Sequence, residues 1–408
     1  MPLDPAVLRA SFAVVERRAD HLVKYFYAHL FAHNPGVREL FPTELSEQRE
    51  RLFAALTQIV LRLDSGERLT DYLSALGRDH RKFQASAEHY PAVGASLIAA
   101  IRHCSGHSWT PEIEKAWTEA YAVVSRTMLR ATRALPAEAP AYWEAAVTAR
   151  HRAAPDIVRL TLCPDRPYPF LAGQYLSLCS PRRPRVWRPY SIANAPRADG
   201  ALELHIRRVP DGLLSTALVN DVVPGERLLL GPPVGDAVLD PHSLRPLLAV
   251  AGGTGWAQIK SLVEQRAAWA RPDSSAWATV FLAARDDADQ YDLDAVHALV
   301  ARHSWLEVVL AAPADGTDRE EAVELLREGL YRYGAHRRGG WAGHDIRLSG
   351  PPDLAPAVAE LLLALDAEPE LIRHDPVPPT FNRSRPLTSS DWFLDQRNVP
   401  WINRTELG

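Results

Sequence analysis

The spacing of apolar residues changes twice along this chain of 408 residues, and each change predicts a new domain. Residues 4–133 show helical periodicity throughout. After the Ala- and Pro-rich stretch 134–140 the apolar period becomes two, as in antiparallel strands. From residue 245 short buried strands alternate with helices, as in a doubly wound parallel sheet. The sequence therefore predicts a multidomain protein: an all-α domain, then an antiparallel β-barrel, then an α/β doubly wound domain.

The same patterns predict the individual elements. The all-α part is expected to have six or seven helices, one of which starts at Thr110-Pro111, a capping residue followed by proline. The predicted barrel strands are 142–149, 156–162, 174–179, 189–193, 202–208 and 226–231. The predicted α/β domain has strands 247–251, 277–284, 306–312 and 345–349, and helices 256–268, 292–303, 319–333 and 353–366.

Composition excludes several classes of protein. The net charge of −4 at pH 7 gives no reason to expect nucleic acid or an anionic membrane as a partner. No apolar run reaches the roughly 18 residues that span a bilayer, and the N-terminus lacks a signal-peptide pattern. The three cysteines, Cys104, Cys163 and Cys179, fit neither a disulfide framework nor a zinc site. We expect reduced, mostly buried thiols in a cytoplasmic protein.

The tetrapeptide Arg188-Pro189-Tyr190-Ser191 has the side chains that a flavin requires. Arg188 is expected near the diphosphate, Tyr190 on the isoalloxazine ring, and Ser191 in a hydrogen bond near its N5 atom. Three further residues that are expected to support or contact the flavin are Tyr175, Gly212 and Ser215.

Two later motifs stand at the ends of predicted strands. Gly252-Gly253-Thr254-Gly255 follows a buried strand and opens a helix, a context in which backbone N–H groups and the helix dipole hold a diphosphate. Ser349-Gly350-Pro351-Pro352 repeats the strand-end geometry and is expected to line the nicotinamide pocket. Each motif alone is weak, but their order and intervals favour a flavin reductase.

Residues 142–375 resemble the ferredoxin reductase superfamily, which implies an FAD barrel followed by an NAD(P) domain. This chain departs from the superfamily at Gln258, often Pro, at Ser349, usually Cys, and in the segment 371–376, where many members carry an acidic residue and an aromatic that covers the flavin. The candidates to replace those two residues are His374, Asp375 and Phe381. Asp286 and Asp287 favour NADH, whereas Arg285 would suit the 2′-phosphate of NADPH; NADH is the preferred expectation.

Of seven histidines before residue 135, His80 stands apart because Tyr90-Pro91 follows ten residues later. Heme iron requires one histidine that faces an apolar pocket and whose other ring nitrogen is held by a second group. Here the helical domain resembles the globins, and the bacterial flavohemoglobins in particular, which join a globin to a reductase of the type just described. The resemblance makes His80 the proximal iron ligand and Tyr90 its partner on the next helix.

The resemblance also implies a distal side. Tyr27 and Gln48 match the pair that contacts the bound gas, Phe41 matches the aromatic that wedges against the heme, and Leu52 matches the apolar distal residue. One departure concerns the iron itself, because the position of a family glutamate that hydrogen-bonds the proximal histidine is Thr132 here. We expect less imidazolate character at His80 unless an acidic side chain lies within reach.

The resemblance implies a globin (heme) domain at 1–135, an FAD-binding barrel at 141–240, an NAD(P)-binding domain at 245–375 and a C-terminal extension at 376–408. It further implies an oxidoreductase that contains heme b and FAD and oxidises nitric oxide to nitrate with O2. Electrons would pass from NADH, or NADPH, through FAD to heme.

Two alternatives keep this architecture. In one, the protein is an NADH oxidase or a reductase for another acceptor. In the other, the globin is a gas sensor and the extension docks a partner through Trp392, Phe393 and Trp401. A tail that wraps its own reductase domain and buries these aromatics is the competing interpretation.

Overall fold

The computed structural model describes residues 4–136, 139–269, 277–284, 287–312, 319–335 and 340–374. The chain forms two compact units, the first ending at Tyr142 and the second beginning at Trp143. The predictions that concern Arg285, Asp286, Asp375, Phe381 and the extension 376–408 fall outside the described residues.

Over its described residues the first unit has six α-helices, as predicted. The Thr110 side chain caps the last of them, because its Oγ1 atom accepts a hydrogen bond from the Ile113 N–H at 3.3 Å. Phe53, Leu56 and Val60 of the third helix are buried, which confirms the apolar stripe of that segment. The helices are α1 Pro5–Glu16, α2 Ala19–His33, α3 Ser46–Leu61, α4 Gly66–His80, α5 His89–Ser105 and α6 Pro111–Arg133.

Two glycines let α4 and α5 pack closely against α6. A Cβ atom on Gly77 would lie 2.5 Å from the carbonyl oxygen of Met128, and one on Gly94 would lie 2.4 Å from the ring of Tyr121. Neither position has room for a larger residue without a shift of helix α6 or of the tyrosine ring. The two glycines therefore set the distance from α6 to α4, which ends at His80, and to α5, which follows it.

The chain that leaves α6 folds back to the end of α4. Arg81, the residue after His80, donates hydrogen bonds to the carbonyl oxygens of Ala139 at 2.6 Å and Pro140 at 3.4 Å. These hydrogen bonds hold residues 139 and 140 close to the predicted iron ligand.

The second unit begins with a six-stranded antiparallel sheet in the order β4-β3-β6-β1-β2-β5. An isolated bridge between Ile192 and Leu204 joins the end of the first strand in this order to the last one, so that the sheet curls into the predicted barrel. The elements are β1 Trp143–Ala154, β2 Ile157–Pro164, β3 Tyr175–Ser180, β4 Arg183–Ser191, β5 Leu202–Arg207, α7 Leu213–Asn220 and β6 Arg227–Leu230.

A five-stranded parallel sheet follows, in the order β11-β10-β7-β8-β9. In the central strands β7 and β10, Ala251 lies opposite Ser349, so that both strands end at the same edge. Ligands of doubly wound sheets bind at this edge. The elements are β7 Leu247–Gly252, α8 Trp256–Trp269, β8 Ala278–Ala283, α9 Leu293–Arg302, β9 Leu306–Ala311, α10 Arg319–Ala335, β10 Asp345–Ser349, α11 Leu354–Ala364 and β11 Ile372–His374.

The three cysteines are free thiols; Cys104 and Cys179 are buried and Cys163 is exposed, which confirms the expectation of reduced and mostly buried side chains. Among the helices that the structure describes, none is long and apolar enough to cross a bilayer.

Candidate functional site

The three reductase motifs meet at one cavity of about 450 Å³ in the second unit. The barrel contributes the end of β4, and the parallel sheet contributes the loops after β7 and β10. Residues separated by more than 150 positions in the sequence thereby face the same space. The motif residues that line it are Pro189, Tyr190, Ser191, Gly252, Gly253, Thr254, Gly255, Ser349, Gly350 and Pro351.

The turn that follows β7 requires glycine at positions 252, 253 and 255. Gly253 has a φ of +52°, in the left-handed region that glycine adopts without strain. A Cβ atom on Gly255 would lie 2.4 Å from the carbonyl oxygen of Ser349, and one on Gly252 would lie 2.7 Å from Leu354. Because the loop leads directly into α8, its N–H groups stand at a helix start, where backbone donors are available for a diphosphate.

The flavin tetrapeptide is divided between cavity and barrel. Tyr190 lines the cavity, packs partly against the barrel core, and has its pKa raised by burial, so its hydroxyl stays protonated. Tyr175 lies opposite Ser191 in the β3–β4 ladder. Arg188 donates a hydrogen bond to the carbonyl oxygen of Trp187 at 3.0 Å and is not among the residues that line the cavity.

Gly212 and Ser215 lie at the start of α7, where they contact each other. The buried Ser215 hydroxyl accepts a hydrogen bond from the Val209 N–H at 3.1 Å and donates to the Gly212 carbonyl at 3.2 Å. Both contacts stabilise the turn that carries Val209, a cavity residue. The expected phosphate contact of this pair stays a prediction.

Sequence reasoning missed four polar residues of the cavity wall: His205, Arg207, Asp289 and Asp353. Arg207 forms an ion pair with the buried Asp289 and lies 3.3 Å from Asp156. One signal was present, because Glu203, His205 and Arg207 alternate along a predicted strand and so share one face. Nothing in the local sequence indicated that Asp289, about eighty residues later, would lie against that face.

His80 is the last residue of α4 and lies half-buried in the first unit. Its Nδ1 atom donates a hydrogen bond to the Leu76 carbonyl oxygen at 2.8 Å, and its Nε2 atom has no hydrogen-bond partner among the described residues. Burial lowers the pKa of His80, against the opposing effects of the Leu76 carbonyl and Asp79. The neutral imidazole therefore keeps the lone pair of Nε2 available for a metal.

The structure brings together three of the predicted distal residues. The buried Tyr27 donates a hydrogen bond from its hydroxyl to the backbone carbonyl of Gln48 at 3.1 Å, and its ring packs edge-on against Phe41 with centroids 5.5 Å apart. The side-chain amide of Gln48 makes no hydrogen bond with any described residue. Leu52, one turn later on α3, packs against the same core.

Neither Tyr90, the predicted partner of His80, nor Thr132, at the position of the family glutamate, forms a hydrogen bond with the His80 ring. Tyr90 packs against the small cluster of Leu69, Leu73 and Met128, and no hydrogen bond joins its side chain to His80. Thr132 donates its hydroxyl hydrogen bonds to the carbonyls of Met128 at 3.0 Å and Gly77 at 3.4 Å. Within the described ranges, no carboxylate accepts a hydrogen bond from His80. The proposed partnership of Tyr90 with His80 stays a prediction.

Comparisons with known proteins match two segments of the chain to family models. Residues 24–128 match the family model of the globins. Residues 144–238 match the family model described as the oxidoreductase FAD-binding domain. The first range contains His80, Tyr27 and Gln48, and the second contains the flavin tetrapeptide and His205.

Several relatives match most of the length of this chain. The flavohemoprotein of Bordetella pertussis is 28% identical over 351 residues, which cover 79% of this chain and 81% of the relative. That of Bacillus subtilis is 23% identical over 397 residues and covers 90% and 95%. The flavohemoglobin of Malassezia yamatoensis, solved with bound FAD and heme, has a similar fold at 21% identity, with a TM-score of 0.70 over 91% of this chain and 97% of the other. The chain therefore has a globin domain followed by an FAD-binding oxidoreductase domain, and it is a divergent relative of the flavohemoproteins.

Proposed function

We propose that this protein is a nitric oxide dioxygenase that contains heme b and FAD and uses NADH as its electron donor. The observation that carries the proposal is the presence, in one chain, of a globin histidine with a free Nε2 atom and a reductase cavity lined by three cofactor motifs. The first feature suits a gas-binding iron, and the second suits the transfer of electrons from a dinucleotide to a flavin.

The residues present fit both groups. His80 offers the single imidazole nitrogen that a heme iron requires, and the glycine cradle of Gly252, Gly255 and Gly350 leaves no room for a Cβ where a diphosphate would approach. When bound, FAD would supply the conversion of a hydride into single electrons, and heme would supply the iron at which O2 and nitric oxide react.

The polypeptide holds and orients these groups. The Leu76 carbonyl fixes the ring of His80 and thereby the direction of its Nε2 atom. Tyr27 is kept protonated by burial, so its O–H can donate to a developing negative charge once it exchanges its bond with the Gln48 carbonyl. In the second unit, Arg207 adds a cation to the cavity wall beside the glycine loop.

The decisive experiment is an absorption spectrum of the purified protein with and without NADH, followed by anaerobic and aerobic addition of nitric oxide. We expect a Soret band and flavin bands, reduction of the heme by NADH, and aerobic formation of two nitrates per NADH consumed. This stoichiometry follows from 2 NO + 2 O2 + NADH giving 2 NO3⁻, NAD⁺ and H⁺. A heme that NADH does not reduce, or nitric oxide consumption without nitrate, would contradict the proposal.

A second candidate function is the reduction of another acceptor. It is favoured by the neutral carbonyl at the Nδ1 atom of His80, where a carboxylate would make the iron more electron-rich. NADH turnover that does not respond to nitric oxide, but is fast with a different acceptor, would favour this function over the first.

A further inference from the structure

A network of polar side chains, two of which are buried, lies behind the wall of the reductase cavity. Lys260 of α8 lies 3.3 Å from the carboxylate of Glu203, and Glu203 lies 2.7 Å from the Nε2 atom of His205. The Nδ1 atom of His205 lies 2.7 Å from the hydroxyl of Tyr291. The side chain of His205 has no exposure to solvent, although it lines the cavity that the three motifs share.

The hydrogen-bond donors and acceptors of this network have one arrangement in which every group has a partner. Burial alone would raise the pKa of Glu203, but the hydrogen bond from His205 and the charge of Lys260 outweigh it and lower that pKa to about 2. Glu203 is therefore an acceptor, and the Nε2–H of His205 donates to it. Burial raises the pKa of Tyr291, so its hydroxyl donates to the free Nδ1 lone pair of a neutral His205.

Tyr291 belongs to a short segment that closes the cavity from the side of the parallel sheet. Asp289 lines the cavity, and its Oδ1 atom lies 3.3 Å from the position of a Cβ on Gly253. Ion pairs Arg207–Asp289 and Arg159–Asp292 also bind this segment to the barrel. The bond between His205 and Tyr291 is the neutral, directional contact among them and lies at the cavity wall.

We propose that His205 is a positioning residue for the dinucleotide, since it fixes Tyr291 and hence the spacing between Asp289 and the glycine loop at Gly253. The proposal rests on the proposed use of NADH but not on the globin half. Without the hydrogen bond, only the two ion pairs would tie residues 289–292 to the barrel, and part of the binding energy of the donor would be spent on fixing the position of this segment. Donor binding would weaken while the chemical step at saturation would remain.

The test compares His205→Leu and Tyr291→Phe with His205→Gln in the full-length, flavin-loaded protein. Steady-state NADH oxidation with ferricyanide as acceptor requires neither heme nor nitric oxide. We expect the KM for NADH to rise about tenfold in His205→Leu and Tyr291→Phe, as for a buried partner left without its hydrogen bond. We expect kcat to stay within about twofold of the wild type. His205→Gln should restore a low KM, because an amide both donates to Glu203 and accepts from Tyr291.

The matched control is His344→Leu. His344 is also a buried histidine of the second unit, but it hydrogen-bonds to main-chain carbonyls and does not line the cavity. An equal rise of KM in His344→Leu, an unchanged KM in both His205→Leu and Tyr291→Phe, or a fall of kcat alone would overturn the proposal. Absence of NADH oxidation in the wild type would instead contradict the proposed function itself.

Discussion

The half-buried charge of Glu203 contributes to the stability of the second unit. Its folded pKa of about 2 lies below the ordinary value of 4.5, so its contribution is fully present above pH 4.5 and is lost as the pH falls through 2. The difference corresponds to about 3 kcal/mol. We expect Glu203→Gln to lower the free energy of unfolding by that order at pH 7 and to remove the part of the acid dependence between pH 4.5 and 2 that this carboxylate contributes.

Urea denaturation at several pH values, followed by the tryptophan fluorescence, measures this effect. The control is Glu144→Gln, because Glu144 forms an exposed pair with Arg227 and should change stability by less than about 0.5 kcal/mol. Parallel acid curves for the wild type and Glu203→Gln would show that Glu203 is not the stabilising charge.

His80 is expected to be indispensable for heme binding. His80→Ala removes the free Nε2 atom, so the purified variant should lack the Soret band while it keeps its flavin absorbance. His107→Ala, an exposed histidine of the same unit, should retain both. Full heme content in His80→Ala would show that another side chain binds the iron.

Among individual side chains, the sequence predicts the functional residues that belong to short contiguous motifs. Tyr190, Ser191 and the glycine loop belong to such motifs, and they do meet at the cavity. The link from His205 to Tyr291 joins positions 86 residues apart, and it exists only because β5 lies against the segment after β8. Local sequence has no signal for contacts of that kind.

Between elements, the ends of β7 and β10 leave no space for a methyl group at Gly255. We expect Gly255→Ala to force its Cβ against the carbonyl of Ser349 and to destabilise the second unit by about 3 kcal/mol. The KM for NADH should rise as well, since the displaced loop is the predicted diphosphate site. Thermal unfolding and NADH kinetics measure the two effects.

A control for this substitution is Gly36→Ala, where nothing lies within 4 Å of the new methyl group. Its unfolding temperature should match that of the wild type. If Gly255→Ala is as stable as Gly36→Ala, the close approach of the two strand ends does not exist in solution.

In the first unit, Gly77 fixes the approach of α4 to α6. Gly77→Ala should push the backbone at Met128 away and lower the free energy of unfolding by about 1–3 kcal/mol. Gly66→Ala is the comparison, because a Cβ at that position on the same helix meets open space. Equal stability of the two variants, measured by circular dichroism during thermal unfolding, would contradict the tight helix contact.

For helices and strands, the periodicity of apolar residues located those that have one apolar face or are wholly buried. It missed α7, whose eight residues are apolar on nearly every side and so carry no helical stripe. It also missed β11, which has three residues, and the first part of β4, where Arg183, Pro184 and Arg185 are exposed and polar. Short or solvated elements are set by tertiary pairing rather than by their own sequence.

For the whole molecule, the two compact units predict two thermal transitions. We expect Gly77→Ala to lower the midpoint of one transition and Gly255→Ala to lower the other, because each substitution lies inside a different unit. Differential scanning calorimetry separates them. A single transition that both variants shift equally would show that the units unfold together.

The order of the domains was predictable because each change of apolar period reflects a different way of burying a core. The cavity was predictable only in part. Its glycine motifs can be recognised in the sequence because the backbone there requires glycine. Arg207 and Asp289 come together only because a strand of the barrel lies against the parallel-sheet part of the same unit. The assignment of Thr132 shows the same limit, since sequence gives its position on α6 but not the carbonyls of Gly77 and Met128 that hold it.

The hydrogen bonds from Arg81 to Ala139 and Pro140 have a consequence for the modular use of this protein. A hybrid enzyme that exchanges the reductase for another one, or a separate heme-domain fragment, is best cut after Pro140. A cut at residue 135 removes both acceptors and leaves a guanidinium unpaired next to His80. The last residues of the connection therefore belong functionally to the heme domain that they leave.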